Sequence, residues 1–339
     1  MNAVLNQLLR ETSRSFHLTL RVLPARIRPQ IGLAYLLARA SDTIADTAIL
    51  PLEERLDALR SFRERILGAH DRPLKFDTIA GKQGSPAERQ LLEHCDDAIH
   101  VLQAMHPLDQ QRIHGVLAII TSGQELDLKR FAGASEKNVI ALANAAELDD
   151  YTYRVAGCVG EFWTHMCRAH LFRHATLDME TLLANAVRFG KGLQLVNILR
   201  DVPADLRQGR CYLPADELKT AGLSPTDLLE PDSAAKFRPV YDRFLAMAEE
   251  HLAAGWEYTN ALPARCVRVR LACAWPILIG VQTLARLRKG NVLDPGQRIK
   301  ISRPEVKKVI LRSVLCYPLP AAWRRLFASA GGEGRKAVA

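Results

Sequence analysis

Two acidic pairs stand out in this chain: Asp42 with Asp46 in ARASDTIADT, and Asp201 with Asp205 in VNILRDVPADL. At i, i+4 spacing the two carboxylates of a pair face the same side of a helix, one turn apart. Polar residues precede each pair on the same stripe, Tyr35 and Arg39 before the first, Gln194 and Asn197 before the second. A solvated helix face explains one such stripe alone, with an Arg–Asp pair worth about a few tenths of a kcal/mol. Two stripes set into otherwise apolar helices point instead to chemistry, the holding of divalent cations against a polyanion. Hard cations such as Mg²⁺ take oxygen ligands, usually one or two carboxylates plus substrate phosphates and water. Asp42, Asp46, Asn197, Asp201 and Asp205 are the candidate metal ligands.

The elements that must position these residues read as helices. The chain has 339 residues, 48% hydrophobic, 24% charged and only 6% aromatic, which favours helix over sheet and leaves enough chain for a large core. Leu91, Leu92, Cys95, Ile99 and Leu102 share one stripe, as do Ile113, Val116, Leu117 and Ile120. Ser85-Pro86-Ala87-Glu88 and Ser302-Arg303-Pro304-Glu305 read as capping boxes, and Ser224-Pro225-Thr226-Asp227 as a further helix start. Long connections are expected at roughly 70–86, 203–223 and 290–303, with no interdomain linker and no solenoid repeat. The fold class expected is all-α, one domain over residues 1–339. Pro203 removes a backbone donor inside the second motif and crowds the Leu199 carbonyl. A helix that kinks or ends near Val202 is therefore expected, with Asp205 placed by a distorted turn.

Other chemistries find less support. The +9 net charge fits nucleic acid, an anionic membrane or a phosphorylated substrate. Aromatics are not interleaved with the basic clusters and no nucleic-acid motif is present, so nucleic acid is not expected. No Walker loop, GxGxxG fingerprint or serine nucleophile elbow occurs. His165, Cys167, His170 and His174 form a competing zinc candidate without HExxH spacing. Gly157 and Gly160 leave room either for a packed helix or for a long apolar substrate. Seven cysteines without CxxC spacing, and no secretory signal, suit reduced thiols in the cytoplasm. The apolar stretch Leu271 to Val281, interrupted by Pro276, reads as too short to span a bilayer.

Four segments together resemble the squalene/phytoene synthase family of head-to-head prenyl transferases: Ser13-Arg14-Ser15-Phe16, Tyr35 to Asp46 (YLLARASDTIAD), Tyr151 to Gly157 (YTYRVAG), and Gln194 to Asp205 (QLVNILRDVPAD). Their order suits the family along about residues 8–310. The resemblance implies an isoprenoid-synthase helical bundle with the two aspartate pairs on opposite walls of a central cavity, binding Mg²⁺ that bridges to prenyl diphosphates. An allylic diphosphate ionises when its departing charge is neutralised, and the carbocation needs an apolar, water-poor cavity. Arg14, Arg39, Arg200 and Arg210 become clamps for diphosphate oxygens, suited to the guanidinium fork, with Ser13, Tyr35, Gln194 and Asn197 beside them. Tyr151 takes the role of removing a proton as a cyclopropyl intermediate forms, aided by diphosphate. Phe16 lines the cavity and faces the cation.

Within the family, Asp42-Thr43 resembles squalene synthases, where phytoene synthases more often carry a second aspartate. Arg298-Ile299-Lys300-Ile301-Ser302-Arg303 resembles the loop those enzymes place near NADPH, which makes Lys300 and Arg303 candidates for the cofactor's phosphates; a solvated basic loop explains the segment equally well. The expected activity is conversion of two farnesyl diphosphates to squalene, with Mg²⁺ and NADPH. Dehydrosqualene or phytoene formation, a presqualene diphosphate or hydroxysqualene half-reaction, and an inactive scaffold remain alternatives. Ala45 and Ala204 stand where many relatives carry Glu, and Arg154 where a second tyrosine is common. The end of the chain, GGEGRKAVA, shows no apolar anchor, so a bacterial, cytoplasmic or peripherally bound protein is expected, with Trp323-Arg324-Arg325-Leu326-Phe327 touching an anionic bilayer.

Overall fold

The computed structural model of the chain describes residues 3–13, 16–294, 296–297 and 299–331. Its helices are α1 (Ala3–Thr12), α2 (Phe16–Val22), α3 (Arg28–Asp46), α4 (Leu52–Ile66), α5 (Asp77–Gly81), α6 (Pro86–Glu93), α7 (Cys95–Gln103), α8 (Pro107–Arg130), α9 (Ala145–Thr152), α10 (Cys158–Leu171), α11 (Met179–Arg207), α12 (Ala215–Thr220), α13 (Ala234–Ala261), α14 (Val267–Leu287), α15 (Arg303–Cys316) and α16 (Pro320–Ala330). Two-residue strands β1 (Ile140–Ala141) and β2 (Arg210–Cys211) pair in parallel, Ile140 opposite Arg210. The all-α expectation holds.

The chain divides into two compact units, one of Met1–Ala132 with Glu161–His174, the other of Gly133–Gly160 with Ala175–Ala339. In the first, α3 packs on α4, α7 and α8. Leu33, Leu36 and Leu37 sit in its core with Phe62, Ile99, Leu102, Ile113 and Leu117, all buried. That is the apolar stripe read from α7 and α8. Pro107 starts α8 at the position where its missing N–H costs nothing. In the second unit, α11 lies along α13 and α14. Leu195, Leu199, Val240, Leu245 and Leu252 fill that contact.

Several local expectations change. The connection at 70–86 contains α5, and the one at 203–223 contains the end of α11, β2 and α12. The stripe from Leu91 to Leu102 is split by His94 into α6 and α7. The Ser302 box forms, with Glu305 accepting from both the N–H and the hydroxyl of Ser302. The Ser85 box does not: the Ser85 side chain makes no capping bond, and Glu88, its other half, takes Arg39 instead. A charged acceptor gains more from a guanidinium than from a backbone N–H.

Pro276 does not interrupt its helix. α14 runs 21 residues, and among the described residues it alone is long and apolar enough to cross a bilayer. Val269, Cys273, Ile277, Val281 and Leu284 are nonetheless buried within the unit, which makes it a core helix. In the segment expected at a membrane, Arg324 and Arg325 are exposed but the apolar side chains are not. Trp323 and Leu326 are buried, and Trp323 stacks on Trp256 at 5.1 Å.

Candidate active site

The first acidic stripe lies on α3. Arg39 Nη1 donates to Asp42 at 2.8 Å and Nη2 to Glu88 at 2.5 Å, so one guanidinium is held by two carboxylates. Burial opposes the Arg39 charge, but Asp42 and Glu88 outweigh it and its pKa is raised. Gln124 of α8, also buried, donates to the other Asp42 oxygen at 3.3 Å. Burial pushes the Asp42 carboxyl above the usual carboxylate range, against the pull of Arg39 and Gln124. Yet 46% of its side chain remains exposed. Asp46, one turn on, is exposed. Between them Thr43 bonds back to the Arg39 carbonyl at 2.9 Å and so does not join the stripe. The Tyr35 hydroxyl donates to the Thr12 carbonyl at 3.2 Å, which ties the stripe to the residue before Ser13. Ser13 is buried, and its hydroxyl finds no partner among the described residues. Arg14 and the side chain of Phe16 lie outside the described residues.

The second stripe lies on α11, and here the expectation about Pro203 is corrected. The helix does not end near Val202 but continues to Arg207, so Asp201 and Asp205 share one helix. Proline deprives the Leu199 carbonyl of its i+4 donor. The buried Tyr241 hydroxyl supplies the missing bond from α13, at 2.8 Å. Burial also raises the phenol's pKa, which keeps that hydroxyl protonated as a donor.

Asn197 Nδ2 approaches Gln194 Oε1 at 3.5 Å, and Gln194 Nε2 donates to the Tyr151 hydroxyl at 3.4 Å. Tyr151 is buried and stacks on Tyr212 at 4.6 Å. It sits just before a π-helical turn, Tyr153–Gly157, a rare geometry frequent at functional sites. Gly157 and Gly160 belong to close packing. A Cβ at Gly160 would sit 2.0 Å from the Ala186 carbonyl oxygen. Arg154 Nε is committed to Asp150 at 2.8 Å.

Arg200 closes its fork on Asp201, at 2.9 and 2.5 Å, and that bond with the nearby Asp205 charge raises its pKa against burial. Asp201 keeps 45% of its side chain exposed. After α11 the chain reverses at Gly209, whose φ of 77° is left-handed, a conformation that suits glycine at a helix end. The turn feeds β2, and Arg210 and Asp205 line the same crevice with Cys211 and Tyr212. Burial pushes the Cys211 thiol up to about 12, so it stays an inert core group.

The oxygen-only donor set fits Mg²⁺. Among the described residues no three His, Cys, Asp or Glu side chains gather as a closed metal cage. Mg²⁺ needs no such cage, since it keeps waters and takes phosphate oxygens as well. The zinc candidate is not built: His170 Nε2 instead meets both oxygens of the buried Asp109 at 2.9 Å. Lys300 and Arg303 are both exposed, and the Lys300 carbonyl accepts from Arg286. The cations that line a cleft nearby are Arg286, Lys289, Lys308 and Arg312, with Glu305. Arg298 lies outside the described residues.

Three partners of the site escaped the sequence reading. By spacing alone Glu88 reads as the far half of a cap with Ser85. Gln124 falls four residues after Ile120 on the apolar stripe of α8, and a polar side chain there was the available signal. Tyr212 carries no spacing signal, since only the β1–β2 pairing brings it under Tyr151.

The squalene/phytoene synthase family profile matches residues 9–305. A bifunctional lycopene cyclase/phytoene synthase of Colletotrichum graminicola is 30% identical over 292 residues, 84% of this chain and 45% of that protein. The squalene synthase of Schizosaccharomyces pombe is 27% identical over 310 residues, 91% of this chain and 64% of that protein. The chain thus spans about half to two thirds of these relatives' length. Among solved structures, the complex of TcSQS with the ligand E5700 superposes with a TM-score of 0.75 at 21% identity, covering 97% of this chain and 99% of that one. The chain belongs to the squalene/phytoene synthase family, a family of prenyltransferases.

Proposed function

We propose that the protein condenses two prenyl diphosphates head to head, with two farnesyl diphosphates as substrates and squalene as product. The observation that carries this reading is the polar ladder on α11. Asp201 and Asp205 lie on the same stripe as Gln194, and Gln194 holds the Tyr151 hydroxyl. Family membership across 9–305 supports reading both aspartate stripes as parts of one synthase domain.

Asp42 and Asp46 on α3, with Asp201, Asp205 and Asn197 on α11, are the residues to hold Mg²⁺, which when bound supplies positive charge to a departing diphosphate. Arg39 orients Asp42 while Glu88 fixes Arg39, so the carboxylate is set before substrate arrives. Arg200 plays the same part for Asp201. Tyr151 is placed to accept the proton lost as the cyclopropyl intermediate closes. A phenol is a weak base by itself, and the departing diphosphate is the natural final acceptor. The stack on Tyr212 keeps the ring oriented and shields it from water. Lys300 and Arg303, both exposed, are the residues that would meet the phosphates of NADPH, which when bound would supply a hydride.

Product analysis with farnesyl diphosphate and Mg²⁺, with and without NADPH, tests the reading. Squalene formed only with NADPH is the expected result. Dehydrosqualene or phytoene-type products, presqualene diphosphate or hydroxysqualene regardless of NADPH would replace squalene as product, and no diphosphate release at all would leave the scaffold reading.

A further inference from the structure

The first helix turn after residue 302 starts a segment of unusual surface chemistry. On α15, Leu311, Val314 and Leu315 are 61%, 45% and 65% exposed, and Leu319 just beyond is 60% exposed. The three helical residues are related by i+3 and i+4, so they form one continuous stripe. The opposite face is the packed one, with Val309 and Ser313 buried and Ser313 accepting a bond from Trp275 at 2.9 Å. Proteins rarely leave several large aliphatic side chains in one solvent-facing patch unless something covers it.

The charges around the stripe say what covers it. Lys307 and Lys308 continue the stripe one turn towards its N-terminal end, Arg312 borders it, and all three are exposed. Lys308 and Arg312 also line the cleft that holds Arg286 and Lys289, so the positive charge extends from the stripe into a concave surface. From Arg303 to Gly331 the sequence has six Lys or Arg and one acid, Glu305, which is bound by Arg286. Leucines rimmed by cations with long aliphatic stems match an interface of hydrocarbon beneath anionic headgroups.

We propose that the exposed face of α15 is the surface by which this protein docks on an anionic lipid bilayer. Leu311, Leu315 and Val314 enter the acyl boundary, while Lys307, Lys308 and Arg312 meet the headgroups. The proposal is independent of the reaction assigned above, because it is read by lipid binding and not by product.

Co-sedimentation of the full chain with phosphatidylcholine vesicles, with and without about 30% phosphatidylglycerol, tests it. Binding is expected only to the anionic vesicles at about 0.05 M salt, and is expected to fall steeply by about 0.5 M. The L311S/L315S variant, at exposed positions with the melting temperature unchanged, is expected to bind at least about tenfold more weakly. K307E/K308E is expected to lose about fivefold or more per lysine at low salt and to match the wild type at high salt. No binding to anionic vesicles, or binding untouched by both variants, overturns the proposal. So does self-association in sedimentation velocity that L311S/L315S abolishes while vesicle binding is absent, since the face would then belong to a second copy.

Discussion

The Tyr241 hydroxyl donates to the Leu199 carbonyl at 2.8 Å, and Leu199 lies four residues before Pro203. The bond replaces the one that proline cannot make. It lets α11 continue through the second acidic motif, so that Asp205 follows Asp201 by one regular turn. The geometry of a proposed metal ligand therefore depends on a tyrosine of a different helix.

Removing that hydroxyl leaves a buried carbonyl without its donor. Tyr241→Phe is expected to lower stability by about 1–3 kcal/mol in urea unfolding. Pro203→Ala restores an N–H four residues after Leu199, so in that background the same change is expected to cost about 1 kcal/mol less. Equal cost in both backgrounds would show that the hydroxyl does not stand in for the proline's missing donor.

Gln124 acts on the other stripe, where it holds one oxygen of Asp42. Partners that orient a metal ligand typically carry about 10–100-fold in metal affinity. Gln124→Ala is expected to raise by that factor the Mg²⁺ concentration giving half-maximal diphosphate release. An unchanged Mg²⁺ titration would remove Gln124 from the site.

Asp42→Asn and Asp201→Asn keep shape and lose charge. Each is expected to slow Mg²⁺-dependent diphosphate release from farnesyl diphosphate by about a hundredfold to a thousandfold, as for loss of one preorganised electrostatic contact to a transition state. Thermal melts of both variants should stay near the wild type, because both side chains are partly exposed. Full activity in either would sink the two-stripe reading.

Asp109 is a buried carboxylate whose partners bear on acid stability. Burial alone would raise its pKa, but the bonds from His170 and Gln30 and the nearby Arg112 hold it below the usual carboxylate value. A depressed folded pKa means a contribution present above the unfolded value of about 3.9 and lost as pH falls through the folded one. The stability gap between wild type and Asp109→Asn is expected to shrink as pH falls below about pH 4. A gap that is constant down to pH 3, on the order of one unit below the ordinary aspartate pKa, would contradict this.

Two glycines separate packing from propensity. A Cβ at Gly160 meets the Ala186 carbonyl oxygen at 2.0 Å, whereas one at Gly115 of α8 meets nothing within 4 Å. Gly160→Ala is expected to destabilise by about 1–3 kcal/mol or more, and Gly115→Ala to stabilise by about 0.4–1 kcal/mol, both read from melting curves. Tolerance of alanine at Gly160 would reopen the reading of Gly157 and Gly160 as space for substrate.

The sequence by itself determined the helical class and the two acidic stripes, each with its carboxylates one turn apart. These rest on local rules: period 3.6 puts Asp42 with Asp46, and Asp201 with Asp205, on one face wherever the rest of the chain goes. It also determined the Ser302 cap, whose partners lie three residues apart. Only the tertiary structure decided the rest. Glu88 left its own cap for Arg39, 49 residues away, because a guanidinium outcompetes a backbone N–H for a carboxylate. Tyr241 overrode the break that Pro203 signals locally, from 42 residues away. Trp323 turned inward to stack on Trp256, while the leucines of α15 turned outward. Which partner a polar group finds, and which apolar face is covered, depends on what the fold brings alongside, and spacing along the chain carries no record of that.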